Sequence, residues 1–453
     1  MKKVAFRNLG CKVNEYEMEY MQQRMAEKGY LIVPFDTKSD IYVINTCTVT
    51  NIADRKSRQM IHRARKLNPE AIVVAVGCYA QTDTEGAVND HAADIIIGNN
   101  NKARLPEIIE EYLNKDNGDP KDKADSRKIV VDDLSIDPDY EDMIIERSAV
   151  HTRAFVKIQD GCNQFCAFCA IPIARGRIRS RRLDSVVEEV RSIAQNGCHE
   201  IVITGIHLSS YGIDFHPDEN GRIRSYNETA GDGRFVNTDL LDVINACNDI
   251  EGIARIRLGS LEPRLINEGF LKELTKYDKV CPHFHLSLQS GCNETLKRMN
   301  RKYTTGEYTA AVELLRRYYN DPAITTDVIV GFPGESDEEF NESMRFVERT
   351  GFFELHVFKY SRRDNTVAAS MKGQIPEPVK QTRSETLIAL GEKLSAEFCQ
   401  RYKGREVEVL FEEEKNGMYR GHTREYIPVE IQSDTDLTGT IETLCFDGNY
   451  CKI

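Results

Sequence analysis

The sequence predicts an α/β protein with three folded parts: an N-terminal α/β layer domain, a central partial (β/α)6 barrel and a small C-terminal β-barrel. Three observations predict this fold class. Short β-branched runs alternate with helical patterns in the first 113 residues, and the same alternation repeats six times in the middle of the chain. The last seventy residues have strand composition with turn signals between the runs. The chain has 453 residues, 40% of them hydrophobic, which suffices for several cores.

The N-terminal domain is predicted over residues 1–113. Its buried parallel strands are predicted at residues 4–8, 42–45, 72–76 and 95–97. Helical spacing of apolar residues covers 15–28 and 52–67. In an α/β layer of this kind, the loops at the carboxyl ends of the strands gather at one edge of the sheet.

An acidic segment follows this domain. Residues 114–146 contain eleven acidic and five basic residues, a net charge of −6, together with turn formers and few apolar residues. The composition predicts an acidic linker or a long surface loop.

The central domain is predicted over residues 147–378 as a parallel β/α barrel or part of one, with its chemistry at the carboxyl ends of the strands. Its six strands are predicted at residues 154–159, 200–204, 254–258, 283–288, 326–330 and 354–358. Helices are predicted between them at residues 186–196, 240–248, 309–319 and 338–349. Residues 208–238 are polar and Gly-rich, which predicts a surface loop after the second strand.

The C-terminal domain is predicted over residues 381–449. A helix at 383–400 precedes strand-like runs at 406–411, 426–431 and 439–444. The size and the pattern favour a small β-barrel of the oligonucleotide-binding sort.

Composition and net charge indicate the cellular compartment of the protein and the kinds of partner that it can bind. No apolar run has the length of a membrane span, and no apolar signal region follows Met1. Thirteen cysteines, an odd number, then predict reduced thiols in a cytoplasmic protein without a membrane partner. The net charge of −12 argues at first against nucleic acid, but the acidic segment and the last 73 residues carry −6 and −5 of it.

Two local basic clusters remain in the nearly neutral rest of the chain. Residues 55–66 hold six basic residues and no acid, and residues 147–182 hold eight basic residues and one acid. Each cluster is either a solvated helix face or a phosphate-binding surface, and its position beside a cysteine motif favours the second reading. The candidate RNA contacts are Arg55, Lys56, Arg58, Arg175, Arg177, Arg179 and Arg181.

Three cysteines with C-x3-C-x2-C spacing follow the first barrel strand directly. Cys162, Cys166 and Cys169 can surround one metal centre, and thiolates select zinc or iron–sulfur clusters. Three ligands leave one coordination position open, as a working site requires. The alternatives are a zinc knuckle with its fourth ligand elsewhere, or a chance grouping of cysteines.

Three further cysteines each follow a predicted strand of the N-terminal domain. Cys11, Cys47 and Cys78 are far apart in sequence, but the carboxyl ends of parallel strands meet at one edge. They are either a second metal-binding set or three unrelated core residues.

The C-x3-C-x2-C spacing, the aromatic Phe168 and the position after the first strand resemble the radical S-adenosylmethionine superfamily. The resemblance implies a 4Fe-4S cluster on Cys162, Cys166 and Cys169 as the catalytic centre, with S-adenosylmethionine bound to its fourth iron. Reduction then cleaves S-adenosylmethionine to methionine and a 5′-deoxyadenosyl radical. It also implies that S-adenosylmethionine is bound by residues at or near the strand ends: Phe168, Gly205, Ser260, Gln289, Asp327 and Gly331.

The segments around the N-terminal cysteines are similar to those of the methylthiotransferases, in particular the branch acting on N6-threonylcarbamoyladenosine in tRNA. The similar motifs are Gly-Cys-Lys-Val-Asn at 10–14, Asn-Thr-Cys-Thr-Val-Thr at 45–50, Gly-Cys-Asn-Gln-Phe-Cys at 161–166, Ala-Arg-Gly at 174–176, Thr-Gly-Ile-His at 204–207 and His-Leu-Ser-Leu-Gln-Ser-Gly at 285–291. The resemblance implies a second 4Fe-4S cluster on Cys11, Cys47 and Cys78. It also implies a C-terminal barrel of the TRAM type, and as partners a tRNA anticodon stem-loop, an electron donor and a sulfur source.

The expected reaction is methylthiolation of adenine C2 in that nucleoside. This carbon carries no acidic hydrogen and no leaving group, so acid–base chemistry alone does not functionalise it, and a cofactor-derived radical does. The base must also be unstacked from its neighbours. Other readings are methylthiolation of isopentenyladenosine in tRNA, methylthiolation of an aspartate on a ribosomal protein, and an iron–sulfur RNA-binding regulator. The acidic C-terminal domain departs from the usual basic footprint of RNA binding.

Overall fold

The N-terminal domain is built on a six-stranded parallel sheet. The computed structural model describes residues 1–115, 127–134, 139–146, 152–230 and 235–448. The first strands are β1 (Lys3–Asn8), β2 (Leu31–Val33), β3 (Ile41–Thr46), β4 (Ile72–Gly77), β5 (Ile95–Ile97) and β6 (Lys128–Val130). They lie in the order β2-β1-β3-β4-β5-β6. The four predicted strands are present, and β2 and β6 add short edges of three residues each.

Helices cover both faces of this sheet, and β3 is therefore buried at every position. Helix α2 begins where Thr50 accepts a hydrogen bond from the Ala53 amide at 3.1 Å, a regular N-cap. The helices are α1 (Lys12–Glu27), α2 (Asn51–Leu67), α3 (Cys78–Thr82), α4 (Thr84–Asn89) and α5 (Leu105–Lys115).

The segment predicted as an acidic linker is partly structural, and that prediction is corrected here. Strand β6 pairs with β5, so three of its residues complete the sheet. Residues 139–146 lie against the rest of the chain: the Met143 carbonyl accepts from the Tyr16 hydroxyl, and the Ile145 amide donates to Glu189 at 2.7 Å. Residues 116–126 and 135–138 of the predicted linker are outside the described residues. A high acid count therefore did not prevent this segment from packing.

Six parallel strands form the central partial barrel, as predicted. The strands of this domain are β7 (Arg153–Asp160), β8 (Arg179–Ser180), β9 (Glu200–Gly205), β10 (Arg255–Leu258), β11 (His283–His285), β12 (Ala323–Val330) and β13 (Glu354–Lys359). Strand β8 pairs antiparallel with β7, and the others follow the order β7-β9-β10 and β11-β12-β13. Two parallel bridges, Ile256 with Val280 and Leu261 with Leu286, join these two groups.

The outward faces of the barrel strands pack against a layer of helices. Val156, Ile203, Ile256 and Val328 belong to one large buried cluster with apolar residues of those helices. The helices are α6 (Ile171–Arg175), α7 (Leu183–Gln195), α8 (Tyr226–Thr229), α9 (Thr238–Asn248), α10 (Glu268–Leu274), α11 (Asn293–Arg298), α12 (Thr305–Tyr318), α13 (Asp337–Thr350), α14 (Val367–Ser370) and α15 (Glu377–Tyr402).

Residues 208–213 and Tyr226 are buried, which corrects the prediction of a surface loop for the ends of this segment, whereas most of residues 216–224 are exposed, as predicted. Tyr211 and Tyr226 are fully buried. Asn227 Nδ2 donates to Gln164 Oε1 at 2.5 Å, inside the cysteine loop. Residues 231–234 are outside the described residues. The two buried parts of the segment thus lie beside the cysteine loop.

The C-terminal domain is a four-stranded antiparallel sheet with the strand order β16-β15-β14-β17. The strands are β14 (Glu406–Lys415), β15 (Met418–Thr423), β16 (Pro428–Gln432) and β17 (Ile441–Cys445), one more than the three predicted. Two barrel arginines hold it beneath the barrel, at the amino ends of the strands. Arg255 donates to the His422 carbonyl at 3.0 Å, and Arg257 donates to the Thr423 carbonyl at 2.7 Å.

Candidate active site

The cysteine loop of the central domain begins at a backbone turn that only glycine allows. Gly161, at the end of β7, has φ +68°, and a Cβ there would lie 1.7 Å from the Arg177 carbonyl oxygen. This close approach folds the chain back on itself and turns the following residues over the barrel mouth. Cys162 is buried, and Cys166 and Cys169 are half-buried.

The three thiols of this loop act electrostatically on one another. Burial, together with the neighbouring thiols, raises the pKa of Cys169 to about 12 and that of Cys162 well above its ordinary value. A bound metal centre would supply the positive charge that stabilises these thiols in the thiolate form. Three convergent sulfur donors fit a 4Fe-4S cluster with one free iron.

Arg301 places a positive charge beside this set. Its Nη1 donates to Cys166 Sγ at 3.2 Å, and its Nη2 lies 2.8 Å from a carboxylate oxygen of Glu262. The backbone amide of Ile171 donates to Cys169 Sγ at 3.4 Å. Hydrogen bonds and charges near cluster sulfurs tune the reduction potential. The sequence offered no signal for Arg301, because it lies 135 residues from the thiol that it contacts.

The N-terminal cysteines lie at the carboxyl ends of β1, β3 and β4. Cys11 is the N-cap of α1, Cys47 follows β3, and Cys78 begins α3. Gly77 before it has φ +102°, and a Cβ there would lie 2.7 Å from Asn45 Oδ1. The topology therefore brings three distant cysteines to one edge of the sheet.

Two of these thiols act electrostatically on the third. Burial, then Cys78, raises the pKa of Cys47 to about 11, and Cys11 acts on it in the same direction. Asn99 Nδ2 donates to Cys78 Sγ at 3.4 Å. Asn14 Oδ1 lies 3.7 Å from Cys11 Sγ. The donor set is again three sulfurs with neutral amide partners, which fits a second cluster with a free iron.

The two cysteine sets are joined through helix α6, which starts two residues after Cys169. Asn99, the partner of Cys78, also donates to the Ala174 carbonyl at 2.6 Å. Arg175 Nη2 donates to Asn14 Oδ1 at 2.7 Å. A cleft of about 230 Å³ lies beside this junction, lined by residues of both domains that include Asn51, Asp54, Ala170, Ile173 and Arg363.

Five buried charges hold the two domains together at the same junction. Glu17 Oε1 lies 2.8 Å from both Lys157 Nζ and Arg175 Nη1, and its other oxygen contacts Lys102. Asp160 accepts from Lys157 at 2.6 Å and from Arg175 at 3.0 Å. Although burial opposes it, Arg175, Lys102 and Lys157 hold the pKa of Glu17 well below its usual range. Glu17 therefore stays ionised, and the network fixes the relative position of the two cysteine sets.

Comparison with known proteins assigns both cysteine-bearing segments. The family model described as the Radical SAM superfamily matches residues 156–347, and that of the uncharacterized protein family UPF0004 matches residues 3–98. The threonylcarbamoyladenosine tRNA methylthiotransferase MtaB of Bacillus subtilis is 38% identical over 448 residues, covering 97% of this chain and 93% of the relative. The protein of the same name from Aquifex aeolicus is 39% identical, covering 98% of this chain and all of the relative.

The chain belongs to the radical S-adenosylmethionine methylthiotransferase family. A further relative, the tRNA-2-methylthio-N(6)-dimethylallyladenosine synthase of Acetivibrio thermocellus, is 32% identical, covering 98% of this chain and 90% of the relative. Among solved structures, the radical S-adenosylmethionine methyltransferase TsrM from Kitasatospora setae has a TM-score of 0.52 at 15% identity, covering 92% of this chain and 80% of that one. The resemblance and the fold class predicted from the sequence are confirmed. Family membership implies a 4Fe-4S cluster and S-adenosylmethionine in the central domain.

Three of the candidate RNA contacts in this methylthiotransferase are buried, so their assignment is corrected. Arg175 belongs to the junction network, and Arg179 donates to the Arg175 carbonyl at 2.8 Å. Arg181 pairs with Asp142 at 2.7 Å and with Glu189. These three side chains are at most 4% exposed and are held by partners inside the protein, so they do not present a phosphate-binding surface.

The other candidate RNA contacts of the methylthiotransferase are accessible. Arg177 is exposed, and its guanidinium lies 4.5 Å from the ring centre of Phe165, itself 46% exposed. Arg55 and Lys56 are exposed on α2, and Arg58 lies half-buried over the ring of Tyr79. An exposed arginine stacked on an exposed ring is a surface that suits nucleotides.

The predicted S-adenosylmethionine contacts of the methylthiotransferase fall into two groups. Gly205, Ser260, Gln289 and Gly331 lie at or after the carboxyl ends of β9, β10, β11 and β12, on the rim where the cysteine loop lies. Asp327 instead lies within β12, 3.4 Å from His285 on the neighbouring strand. Phe168 packs edge-on against Phe332, with ring centres 6.4 Å apart. The rim residues remain predicted contacts, while Asp327 belongs to the barrel interior.

Within the described residues, the methylthiotransferase has no helix that is both long and apolar enough to cross a membrane.

Proposed function

We propose that this enzyme converts N6-threonylcarbamoyladenosine, next to the anticodon in tRNA, to its 2-methylthio derivative. The observation that carries the proposal is the meeting of two three-cysteine sets at one domain junction. A single set would serve S-adenosylmethionine cleavage, whereas delivery of sulfur to the same substrate calls for a second metal site close to it. The names of the Bacillus and Aquifex relatives support the substrate.

Each set of cysteines has a separate role in this proposal. Cys162, Cys166 and Cys169 hold the cluster that binds S-adenosylmethionine, and Cys11, Cys47 and Cys78 hold the second cluster, which carries the sulfur. When bound, the first cluster and S-adenosylmethionine supply a 5′-deoxyadenosyl radical, the reagent that an unreactive C2–H requires.

The protein's own residues supply position and environment. The junction network around Glu17 holds the two sets at a fixed separation, so the substrate adenine meets both without a domain movement. Residues 208–215 and 226–229, packed over the cysteine loop, help to keep water from the barrel mouth.

The RNA-binding surface is proposed to include the exposed Arg55, Lys56 and Arg177 and the half-buried Arg58. The C-terminal sheet, attached below the barrel, is the proposed TRAM-like second contact. A tRNA substrate implies a cytoplasmic location, and the reaction requires an electron donor and a sulfur source.

Mass spectrometry of tRNA nucleosides tests the proposal. A strain lacking the gene should accumulate N6-threonylcarbamoyladenosine and lose its 2-methylthio form, and the intact gene should restore it. A complementing gene with Cys47→Ala should not restore it. If the strain lost 2-methylthio-isopentenyladenosine instead, the substrate of this enzyme would be the dimethylallyl nucleoside named for the Acetivibrio relative. If the tRNA nucleosides were unchanged, tRNA would be rejected as the substrate.

A further inference from the structure

Three side chains with metal-binding atoms lie on neighbouring strands in the second half of the barrel. They are His285 on β11, Asp327 on β12 and His356 on β13, and one donor atom of each lies within 4.8 Å of the others. The strand register brings them together. Asp327 is directly opposite His356, and His285 is opposite Thr325, two residues before Asp327. Two imidazoles and one carboxylate therefore converge from three strands.

These three side chains face the inside of the barrel. Successive residues of a strand point to opposite faces of the sheet. Phe284, Val328 and Val357, which are their neighbours in sequence, pack against the outer layer of helices. The two histidines and the aspartate therefore point inward, into the space that the strands enclose.

The Nε2 atom of His285 is buried and has no hydrogen-bond partner in the part of the chain that the structure describes. The other ring nitrogen, Nδ1, lies 3.0 Å from Thr325 Oγ1. When Nδ1 donates to this hydroxyl, Nε2 carries a free lone pair, which is the form of imidazole that binds a metal. A buried acceptor without a donor costs free energy, and a bound cation would remove that cost.

The distance from this nitrogen to Asp327 suits two ligands of one metal better than a hydrogen bond. His285 Nε2 lies 3.4 Å from Asp327 Oδ2. An N–H···O hydrogen bond spans about 2.7–3.2 Å, whereas two ligands that are each about 2.0–2.1 Å from a tetrahedral metal lie about 3.3–3.4 Å from each other. The ring of His356 lies 5.7 Å from that of His285, centre to centre, so a third donor approaches from β13.

We propose that His285, Asp327 and His356 bind a divalent transition metal ion inside the barrel, separate from the two cysteine sets. Imidazole and carboxylate ligands suit zinc and iron(II), and two histidines with one carboxylate leave coordination positions open. Water fills these positions until an oxygen or nitrogen atom of a substrate replaces it. His356 is exposed and provides a route by which the ion enters. The site does not depend on which nucleoside the enzyme modifies.

Competition between Mn²⁺ and Zn²⁺ tests this site. Free Mn²⁺ gives a six-line EPR spectrum that is lost on binding, and oxidised 4Fe-4S clusters give no EPR signal. The anaerobically reconstituted enzyme, freed of loosely bound metal on a chelating resin, is titrated with Mn²⁺ and then with Zn²⁺. The variants are Asp327→Asn, His356→Gln and Thr325→Val. His216→Gln is the matched control, because this exposed histidine lies 3.1 Å from a single carboxylate, that of Asp239.

The wild-type enzyme should bind one Mn²⁺ per chain, and one equivalent of Zn²⁺ should release it, since zinc binds such ligands more tightly than manganese does. Asp327→Asn and His356→Gln each remove a ligand and should weaken binding by at least about 100-fold, because loss of an outer partner alone costs about 10- to 100-fold. Thr325→Val removes only the partner of His285 and should fall within that smaller range. His216→Gln should bind the ion as the wild-type enzyme does.

Two results would overturn the inference. One is the absence of Mn²⁺ and Zn²⁺ binding by the wild-type enzyme. The other is binding that Asp327→Asn and His356→Gln leave unchanged, which would place the ion at the cysteines or on the surface. Iron and sulfide analysis of every variant, together with circular dichroism, separates a loss of ion binding from a loss of folded enzyme.

Discussion

Replacing Arg175 by methionine separates the two roles considered for the arginines after the cysteine loop. Methionine keeps an unbranched, apolar chain of similar length and removes the charge. If Arg175 contacted RNA, the variant would bind tRNA weakly and fold normally. Because the guanidinium is buried between Glu17 and Asp160, we expect the opposite result.

The magnitude follows from the network. Arg175 donates to Glu17 at 2.8 and 3.0 Å and to Asp160 at 3.0 Å, and these bonds are lost. Removing one partner of a buried ion pair costs about 3–5 kcal/mol. Lys102 and Lys157 remain to neutralise the two carboxylates, which places the cost at the lower end, about 3 kcal/mol. For a cooperative unit of 150–250 residues this lowers Tm by roughly 6–12 °C.

The assay is thermal unfolding of the anaerobically reconstituted protein, followed by circular dichroism, beside tRNA binding at two salt concentrations. Arg177→Met is the matched control, since this exposed arginine lies two residues away. It should change Tm by less than about 2 °C and reduce the salt dependence of tRNA binding. A wild-type Tm in Arg175→Met, combined with weaker salt-dependent binding, would refute the assignment of Arg175 to the junction.

The remaining predictions concern the metal sites and one carboxyl group. Cys166→Ala should abolish 5′-deoxyadenosine formation, whereas Cys47→Ala should retain it and yield no methylthiolated product; full product from Cys47→Ala would exclude the N-terminal site as the sulfur carrier. Arg301→Gln removes the charge 3.2 Å from Cys166 Sγ, so the midpoint potential of the radical cluster should become more negative in an EPR-monitored titration, and an unchanged potential counts against this electrostatic role. Burial raises the pKa of Glu141 to about 7, above the value of about 4.3 in an unfolded chain, so stability should fall as pH rises between these values and level off above them. Glu141→Gln should flatten Tm across that window, and a variant that keeps the wild-type slope places its origin in another group.

The sequence predicted the fold well where the signal is local. Buried strands such as β4 are continuous apolar runs, and their alternation with helices defines parallel layers whatever the distant contacts are. The edge strand β2 escaped prediction, although the equally short β5, a run of three isoleucines inside the sheet, did not. Strand β6 escaped because its acidic surroundings suggested a linker.

The candidate site was predictable only in part, for a related reason. A cysteine after each parallel strand predicts convergence at one edge, and Cys11, Cys47 and Cys78 do lie at the carboxyl ends of β1, β3 and β4. The direction of an arginine side chain depends on its partner, and the partner of Arg175 is Glu17, 158 residues away in sequence. The run of arginines after the cysteine loop therefore suggested a solvent-exposed surface, whereas the fold buries Arg175 in the junction network.

The junction network also limits how this protein can be divided. Glu17 and Lys102 come from the first domain, while Lys157, Asp160 and Arg175 come from the second. Cutting the chain between the domains would expose one acid and one base, Glu17 and Lys102, on the first fragment. The second fragment would expose two bases and one acid. On both fragments these charges would lie in surfaces that are buried in the intact protein. Although its domains follow one another in order along the chain, the enzyme is not modular at this boundary. Exchange of either domain with that of a relative would succeed only if these five charges were transferred as a set.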